Sequence, residues 1–290
     1  MSPATDTLAE VIGLLAIESC GEGSFRAGHT ELARTSGHVF GGLVAAQATV
    51  AACRTVAAER RIHSLHAYFL RPGNPQLPIR LEVDRTRDGG SFSHRRVSAI
   101  QDGGTIMEMA CSFAAAESGL SHQVRMPDVP PADQLRPDWE ELRLLPGTHE
   151  SVTAPGAFDL RSAEPHSRIS RDRGERTDRS RMWMRTQGQA LPDDPELHTA
   201  LLVYASDMTV LDPATRPAGL SIAAGDVLPA TIDHALWFHA PLRCDEWFLC
   251  DADSPWAGSG RGYTRARIFD ASGVLAAEVA QEGLIRLPRG

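Results

Sequence analysis

The feature that most constrains this chain is a repeat, because its two halves carry the same order of hydrophobic patterns. In the first half an alanine-rich stretch from about Gly42 to Glu59 predicts a helix, and alternating strands follow it down to Phe113. In the second half a helix predicted from Glu196 to about Leu211 precedes strands that end at Arg286. The chain is therefore expected to fold as two similar units, each a helix followed by an antiparallel meander.

Turn residues recur at the same interval. Pro72 and Pro241 lie 169 residues apart, and the turn residues Asp102 and Asp270 lie 168 apart. Both pairs occupy matching places in the two predicted meanders, which favours an internal duplication.

The segment between the halves carries a charged run, residues 161–181. Because acids are mixed with its arginines and aromatic residues are few, we predict a solvated loop and no nucleic-acid contact. The flanking stretches Phe158 to Leu160 and Met182 to Arg185 could form short first strands of the second unit.

Composition excludes several classes of protein. The 290 residues carry a net charge of −8, which argues against nucleic-acid binding, and no apolar run is long enough to span a membrane. All 29 basic residues are arginines, so a pyridoxal-phosphate Schiff base or a Walker A lysine is excluded. The five scattered cysteines and an acidic N-terminal stretch without signal-peptide features predict a cytoplasmic protein with reduced thiols.

Three positions in the second half break their local pattern. Asp207 lies near the C-terminal end of a predicted helix, where the helix dipole disfavours a carboxylate. Gln281 shares a strand face with apolar residues and would need hydrogen-bond partners if buried. Thr231 opens a strand and alone is an ordinary β-branched residue. Each of these residues taken alone has an ordinary structural explanation, and periodicity does not show that the three side chains lie close together.

The chain lacks the usual signatures of other hydrolases and of metal sites. It has no G-x-S-x-G nucleophile motif and no glycine-rich dinucleotide loop. His63 and His66 are three apart in a predicted strand, so their rings point to opposite faces and predict no metal site. We therefore expect neither a metal nor a cofactor.

Six segments in order resemble the acyl-CoA thioesterase II (TesB-like) family. They read HVFGGLVAAQA (38–48), HSLHAYFLRPGNP (63–75), DGGSFSHRRV (88–97), YASDMTVL (204–211), ATIDHALWFHAP (230–241) and VAQEGLIR (279–286). The resemblance implies an α+β double hotdog fold, in which each of two tandem units wraps a long helix in an antiparallel β-sheet. On that basis we expect an N-terminal unit at 1–120, a connecting segment at 121–157 and a C-terminal unit at 158–290.

The resemblance also implies a reaction. In the family an Asp, a Thr or Ser and a Gln hold the attacking water, and the matching positions here are Asp207, Thr231 and Gln281. The expected activity is hydrolysis of fatty acyl-CoA to free fatty acid and CoA. A thioester is electrophilic enough for a positioned water to attack it directly, with Asp207 as general base. Gly41 and Gly42, at the start of the first helix, are candidate oxyanion donors.

Two alternative functions are compatible with a hotdog fold. An enoyl-CoA hydratase of the same fold needs D-x-N-P-x-H, but the only asparagine, Asn74, is followed by Pro75, Gln76 and Leu77. A non-catalytic acyl-CoA or lipid-binding hotdog protein is the second alternative, and it is opposed by the presence of all three catalytic residue types. Family resemblance further implies a homo-oligomer, a dimer or higher.

Overall fold

Two long helices and one continuous antiparallel sheet organise the molecule. The computed structural model describes residues 7–28, 34–35, 37–148 and 152–288. The helices are α1 Leu8–Leu15, α2 Gly41–Cys53, α3 Asp138–Leu142, α4 Ser167–Arg173 and α5 Pro195–Thr209. Short 3-10 helices cover Ala132–Gln134, Asp212–Ala214, Arg216–Ala218 and Ile222–Ala224.

The strands fall into two sets that share an order. The first set is β1 Glu18–Gly21, β2 Ser24–Ala27, β3 Arg34–Thr35, β4 His38–Val39, β5 Arg60–Phe69, β6 Ile79–Asp88, β7 Phe92–Gln101 and β8 Gly104–Ala115. The second set is β9 Phe158–Ser162, β10 Arg179–Thr186, β11 Leu228–Phe238, β12 Phe248–Gly258, β13 Arg261–Asp270 and β14 Leu275–Arg286.

The sheet topology confirms the duplication. Twelve strands form one sheet in the order β1-β2-β6-β7-β8-β5-β11-β14-β13-β12-β10-β9. Each half thus arranges the four strands after its long helix identically, as β6-β7-β8-β5 and as β12-β13-β14-β11. The halves join where β5 pairs antiparallel with β11, with Leu65 opposite Leu236. Two helices wrapped by two matching meanders form a double hotdog, as the resemblance implies.

Helices α2 and α5 pack against each other inside the sheet. Every residue of α2 from Gly42 to Ala52 is buried, so this helix is enclosed on all sides. Alanines dominate it because their small side chains allow close packing on all faces. A cap sets the start of α5, where the Asp194 side chain accepts hydrogen bonds from the N–H groups of Glu196 and Leu197.

The first long helix is shorter than predicted. It ends at Cys53 and not near Glu59, although Ala57, Ala58 and Glu59 are good helix formers. The Thr55 hydroxyl donates to the Ala52 carbonyl, and the chain turns there so that β5 can begin at Arg60. Tertiary pairing of β5 thus overrides local helix propensity.

The prediction of a solvated loop over residues 161–181 is wrong. The run includes helix α4, in which Ser167, Arg168 and Ser170 are buried. Arg168 pairs with Asp172 one turn later, and its guanidinium also donates to the Pro146 carbonyl. A charged side chain can be buried when it is paired, so a run of charged residues does not by itself predict exposure to solvent.

The predicted short first strands of the second unit are present as β9 and β10. Of the predicted unit boundaries, residues 1 and 290 lie outside the described residues, as do 149–151 within the connecting segment. No helix among residues 7–28, 34–35, 37–148 and 152–288 is both long and apolar enough to cross a membrane.

Candidate active site

The three residues singled out in the second half meet in one hydrogen-bonded chain. The Gln281 Nε2 atom donates to Thr231 Oγ1 at 3.1 Å. The Thr231 hydroxyl in turn donates to Asp207 Oδ1 at 3.0 Å. An amide, a hydroxyl and a carboxylate are therefore linked in a fixed order, with the carboxylate at the end.

Each of the three side chains is supplied by a different element. Asp207 lies in the last turn of α5, two residues before its end at Thr209. Gln281 lies on the inner face of β14 beside Ala277 and Val279, and it is 1% exposed. That burial confirms the face predicted from alternation.

A β-bulge brings Thr231 to the same face. In the pairing of β11 with β14 the register shifts between Thr231 and Asp233, which leaves Ile232 as an extra residue. Thr231 and His234 are three residues apart and would face opposite sides of a regular strand. The bulge reverses the alternation, so both side chains reach the α5 side of the sheet.

The Asp207 carboxyl group has an elevated pKa. Burial raises it, since enclosure by protein atoms disfavours the charged form. The nearby His234, the hydrogen bonds from Thr231 and Gln281, and the backbone N–H of Gly42 lower the pKa again without cancelling the rise. Asp207 is therefore a stronger base than an ordinary aspartate. Its ionised form still accepts hydrogen bonds from these donors.

The N-terminus of α2 faces this carboxylate. A Cβ atom added at Gly41 would lie 3.0 Å from Asp207 Oδ2 and 3.1 Å from the Phe69 ring. A Cβ atom at Gly42 would lie 2.8 Å from the Tyr204 carbonyl oxygen of α5. The two glycines thus allow a helix end, whose first N–H groups have no partner inside the helix, to approach Asp207 closely, and the Gly42 N–H donates to its carboxylate.

His234 and Ser206 belong to the same polar cluster, although the sequence patterns did not predict them as part of the site. His234 is 1% exposed, and its Nε2 lies 2.8 Å from the Ser206 hydroxyl of α5. Burial lowers the pKa of His234, so the ring is neutral. Regular alternation along this strand places His234 and Thr231 on opposite faces, so the sequence pattern does not connect the histidine with the site.

The corresponding place in the first unit is apolar. Strands β5 and β8 match β11 and β14, and β5 has a bulge at the equivalent point, between Ile62 and Ser64. Where His234 faces Gln281, Leu65 faces Cys111. Ile62, 8% exposed, takes the place of Thr231.

Cys53 completes that counterpart. Cys53 is the last residue of α2 and lies near Cys111 and near Glu196, at the start of α5. Asp207 has the equivalent position, because it lies near the end of α5, close to Gln281 and to the start of α2. Burial raises the pKa of Cys53 to about 12. Among the described residues, the second unit therefore has a polar site of this kind, and the equivalent place in the first unit is formed by Ile62, Leu65, Cys53 and Cys111.

The two histidines considered as metal ligands make separate contacts. His63 Nε2 lies 2.7 Å from the Ser112 hydroxyl, and the His66 ring packs on Trp237. Within the part of the chain that the structure describes, no group of three or more His, Cys, Asp or Glu side chains is arranged to hold a metal ion.

Sequence comparison matches both halves of the chain to models of one family. Residues 30–114 match the acyl-CoA thioesterase N-terminal domain, and residues 126–285 match the acyl-CoA thioesterase C-terminal domain. Human acyl-coenzyme A thioesterase 8 is 36% identical over 288 residues, which cover 96% of this chain and 89% of the relative.

Solved structures give a consistent result. The acyl-CoA thioesterase II TesB2 from Mycobacterium marinum superposes with a TM-score of 0.79 at 39% identity, covering 97% of this chain and 99% of that one. A protein with a hot dog fold from Alicyclobacillus acidocaldarius superposes with a TM-score of 0.78 at 19% identity, covering 96% and 98%. The second similarity concerns the fold alone.

Proposed function

Because the chain belongs to the acyl-CoA thioesterase family, we propose that it hydrolyses fatty acyl-CoA to free fatty acid and CoA. The attack is direct, by a water molecule that Asp207, Thr231 and Gln281 hold. The observation that carries this proposal is the hydrogen-bonded chain from Gln281 through Thr231 to Asp207, which ends at the N-terminus of α2.

Asp207 acts as the general base. Its Oδ1 accepts the Thr231 proton, which leaves Oδ2, on the α2 side, to take a proton from the water. The raised pKa brings the carboxylate closer to the operating pH, where general bases are most effective. Thr231 and Gln281 orient the water, Thr231 through its remaining lone pair and Gln281 through the amide N–H that otherwise donates to Asp207.

The reaction then runs through a tetrahedral intermediate. The water oxygen bonds to the thioester carbon while its proton passes to Asp207, and the carbonyl oxygen becomes an oxyanion. The backbone N–H of Gly41 stabilises that charge at the start of α2, and the N–H of Gly42 joins it once Asp207 has taken the water proton and no longer holds that donor. The carbon–sulfur bond breaks, and the CoA thiolate leaves with the proton that Asp207 returns.

Release of CoA thiol by the purified chain tests this proposal, with acyl chains from acetyl to palmitoyl and a thiol-reactive chromophore. The protein's own reactive thiols are titrated first and subtracted. Turnover is the expected result, and the profile of rate against chain length identifies the preferred fatty acyl group. Saturable binding of acyl-CoA without turnover at any length would overturn the proposal in favour of a non-catalytic acyl-CoA or lipid-binding protein.

The proposal includes a homo-oligomer that works in the cytoplasm. All five cysteines are free thiols, as is usual in a reducing compartment. Light scattering coupled to size-exclusion chromatography measures the mass of the assembly. The mass of a single chain at working concentration would contradict the homo-oligomer.

A further inference from the structure

Two buried polar atoms without hydrogen-bond partners lie on facing residues beside the active site. They are Nδ1 of His234 and Oε1 of Gln281. The two residues are directly opposite in the pairing of β11 with β14, and each is 1% exposed. A buried polar atom without a partner is costly, and two such atoms on residues that face each other across one strand pair are candidates to satisfy each other.

The donor and acceptor roles follow from the neighbouring contacts. Gln281 Nε2 donates to Thr231, so Oε1 is the end of the amide that needs a donor. A neutral imidazole has one N–H and one acceptor nitrogen. When His234 Nε2 accepts the Ser206 proton at 2.8 Å, Nδ1 carries the hydrogen and supplies that donor.

The alternative tautomer satisfies fewer atoms. The Ser206 hydroxyl can instead donate to the Val203 carbonyl at 2.9 Å, which would leave His234 Nε2 as the donor. That carbonyl lies inside α5, where an N–H four residues later already pairs with it. In this tautomer the Nδ1 lone pair would face the Gln281 oxygen, and both atoms would remain unpaired.

We propose that His234 is a positioning residue for the thioesterase site, with Nδ1–H directed at Gln281 Oε1. This contact fixes the orientation of the amide so that Nε2, and not Oε1, faces Thr231. The only hydroxyl proton of Thr231 is then free to be donated to Asp207. If the amide were reversed, Oε1 would compete for that proton and Asp207 would lose its donor.

The inference deepens the proposed function and rests on it. It is also consistent with the electrostatics of the pair. Burial lowers the pKa of His234, which keeps the ring neutral, while its interactions with Asp207 and Gln281 oppose that shift. The neutral ring can therefore direct one N–H at the Gln281 amide, and it carries no positive charge beside Asp207.

Two replacements of His234, each with an amide nitrogen near one of the two ring nitrogen positions, test whether Nδ1 is the donor. Asparagine at 234 retains a donor near the Nδ1 position, whereas glutamine retains one near Nε2 only. We expect His234→Gln to lower kcat about tenfold to a hundredfold, the effect of one buried hydrogen bond lost in the transition state, with KM nearly unchanged. In His234→Asn, by contrast, kcat is expected to stay within about threefold of the wild-type value.

The matched controls are His239→Asn and His239→Gln. His239 follows β11, is 39% exposed and contacts Glu278 away from the site, so neither change should alter kcat. Equal loss of kcat in His234→Asn and His234→Gln would overturn the inference, because a structural role for the ring would make both changes equally harmful.

The ¹⁵N shifts of the wild-type ring decide the question even if the variants fail to fold. A pyrrole-type shift at Nδ1 and a pyridine-type shift at Nε2 are expected, and the reverse would overturn the inference. The reversed tautomer together with normal thiol release would leave the proposed function intact. Absence of thiol release by the wild-type protein would instead remove the proposed function.

Discussion

At the scale of single residues, the proposed mechanism makes activity depend on the ionisation of Asp207. Its pKa lies above the usual 3.8 because burial disfavours the charged form. Since the base must be ionised, kcat/KM is expected to fall as the pH drops through this raised value. A pH profile of kcat/KM measures it, and an acid limb at or below the ordinary value for aspartate would contradict the environment described for Asp207.

The same buried charge makes the folded chain less stable at neutral pH. With the pKa higher in the folded than in the unfolded state, the folded chain binds the proton more tightly. The contribution of Asp207 to stability therefore falls as pH rises from the unfolded pKa through the folded one. Asp207→Asn is expected to raise Tm by about 2 °C or more at pH 7. Thermal unfolding measures this, and a lowered Tm at pH 7 would show that the ionised carboxylate stabilises the fold.

How much of the site was predictable from sequence differs residue by residue. Asp207 and Gln281 both stood out as polar groups in unfavourable places, and family resemblance connected them with Thr231. His234 was missed because a bulge at Ile232 changes which side chains share a face, and regular alternation places Thr231 and His234 on opposite sides. Contacts made through a bulge depend on the pairing of β14, which no local pattern contains.

At the scale of elements, the approach of α2 to α5 places the helix N-terminus beside Asp207. Gly41→Ala would put a Cβ atom 3.0 Å from Asp207 Oδ2 and 3.1 Å from the Phe69 ring, so the helix end or the carboxylate must move. Because small displacements of catalytic groups are costly, we expect kcat to fall about tenfold or more. Steady-state kinetics of this variant measure the effect.

Gly13→Ala is the matched control for that change. Gly13 also lies in a helix, α1, and a Cβ atom there would meet nothing within 4 Å. The control should keep wild-type kcat and gain up to about 1 kcal/mol of stability from reduced freedom of the unfolded chain. Wild-type kcat in Gly41→Ala would argue against a role for the α2 end in the reaction.

Elements differed in how well the sequence predicted them. The helix–meander order was predictable because its period is repeated and each strand alternates. The end of α2 was not, since Ala57 to Glu59 favour helix locally while β5 pairing begins at Arg60. Helix α4 was also missed, because a run of charged residues does not show that Arg168 is buried against Asp172 and the Pro146 carbonyl.

At the scale of the whole molecule, duplication has left one polar site and one apolar counterpart. Burial raises the pKa values of Cys53 and Cys111 in that counterpart, and those of Cys244 and Cys250 elsewhere, whereas Cys20 is exposed. Since the thiolate is the reactive form, only Cys20 should react rapidly with a thiol reagent in the folded chain.

Thiol titration checks this expectation. One fast-reacting group per folded chain is expected, rising to all five cysteines after denaturation. The variant Cys20→Ser provides the control, since it should abolish the fast phase and leave the slow groups unchanged. Two or more fast thiols in wild type would show that at least one of the four other cysteines is open to solvent.

In the proposed mechanism Asp207 activates a water held in the second unit. The most direct test is the kcat for CoA thiol release by Asp207→Asn beside wild type and the control Asp128→Asn, whose carboxylate is 95% exposed. Loss of a general base predicts a fall of about 10² to 10⁴ in kcat for Asp207→Asn, with the control unchanged. Turnover near the wild-type rate in Asp207→Asn would remove this carboxylate from the mechanism.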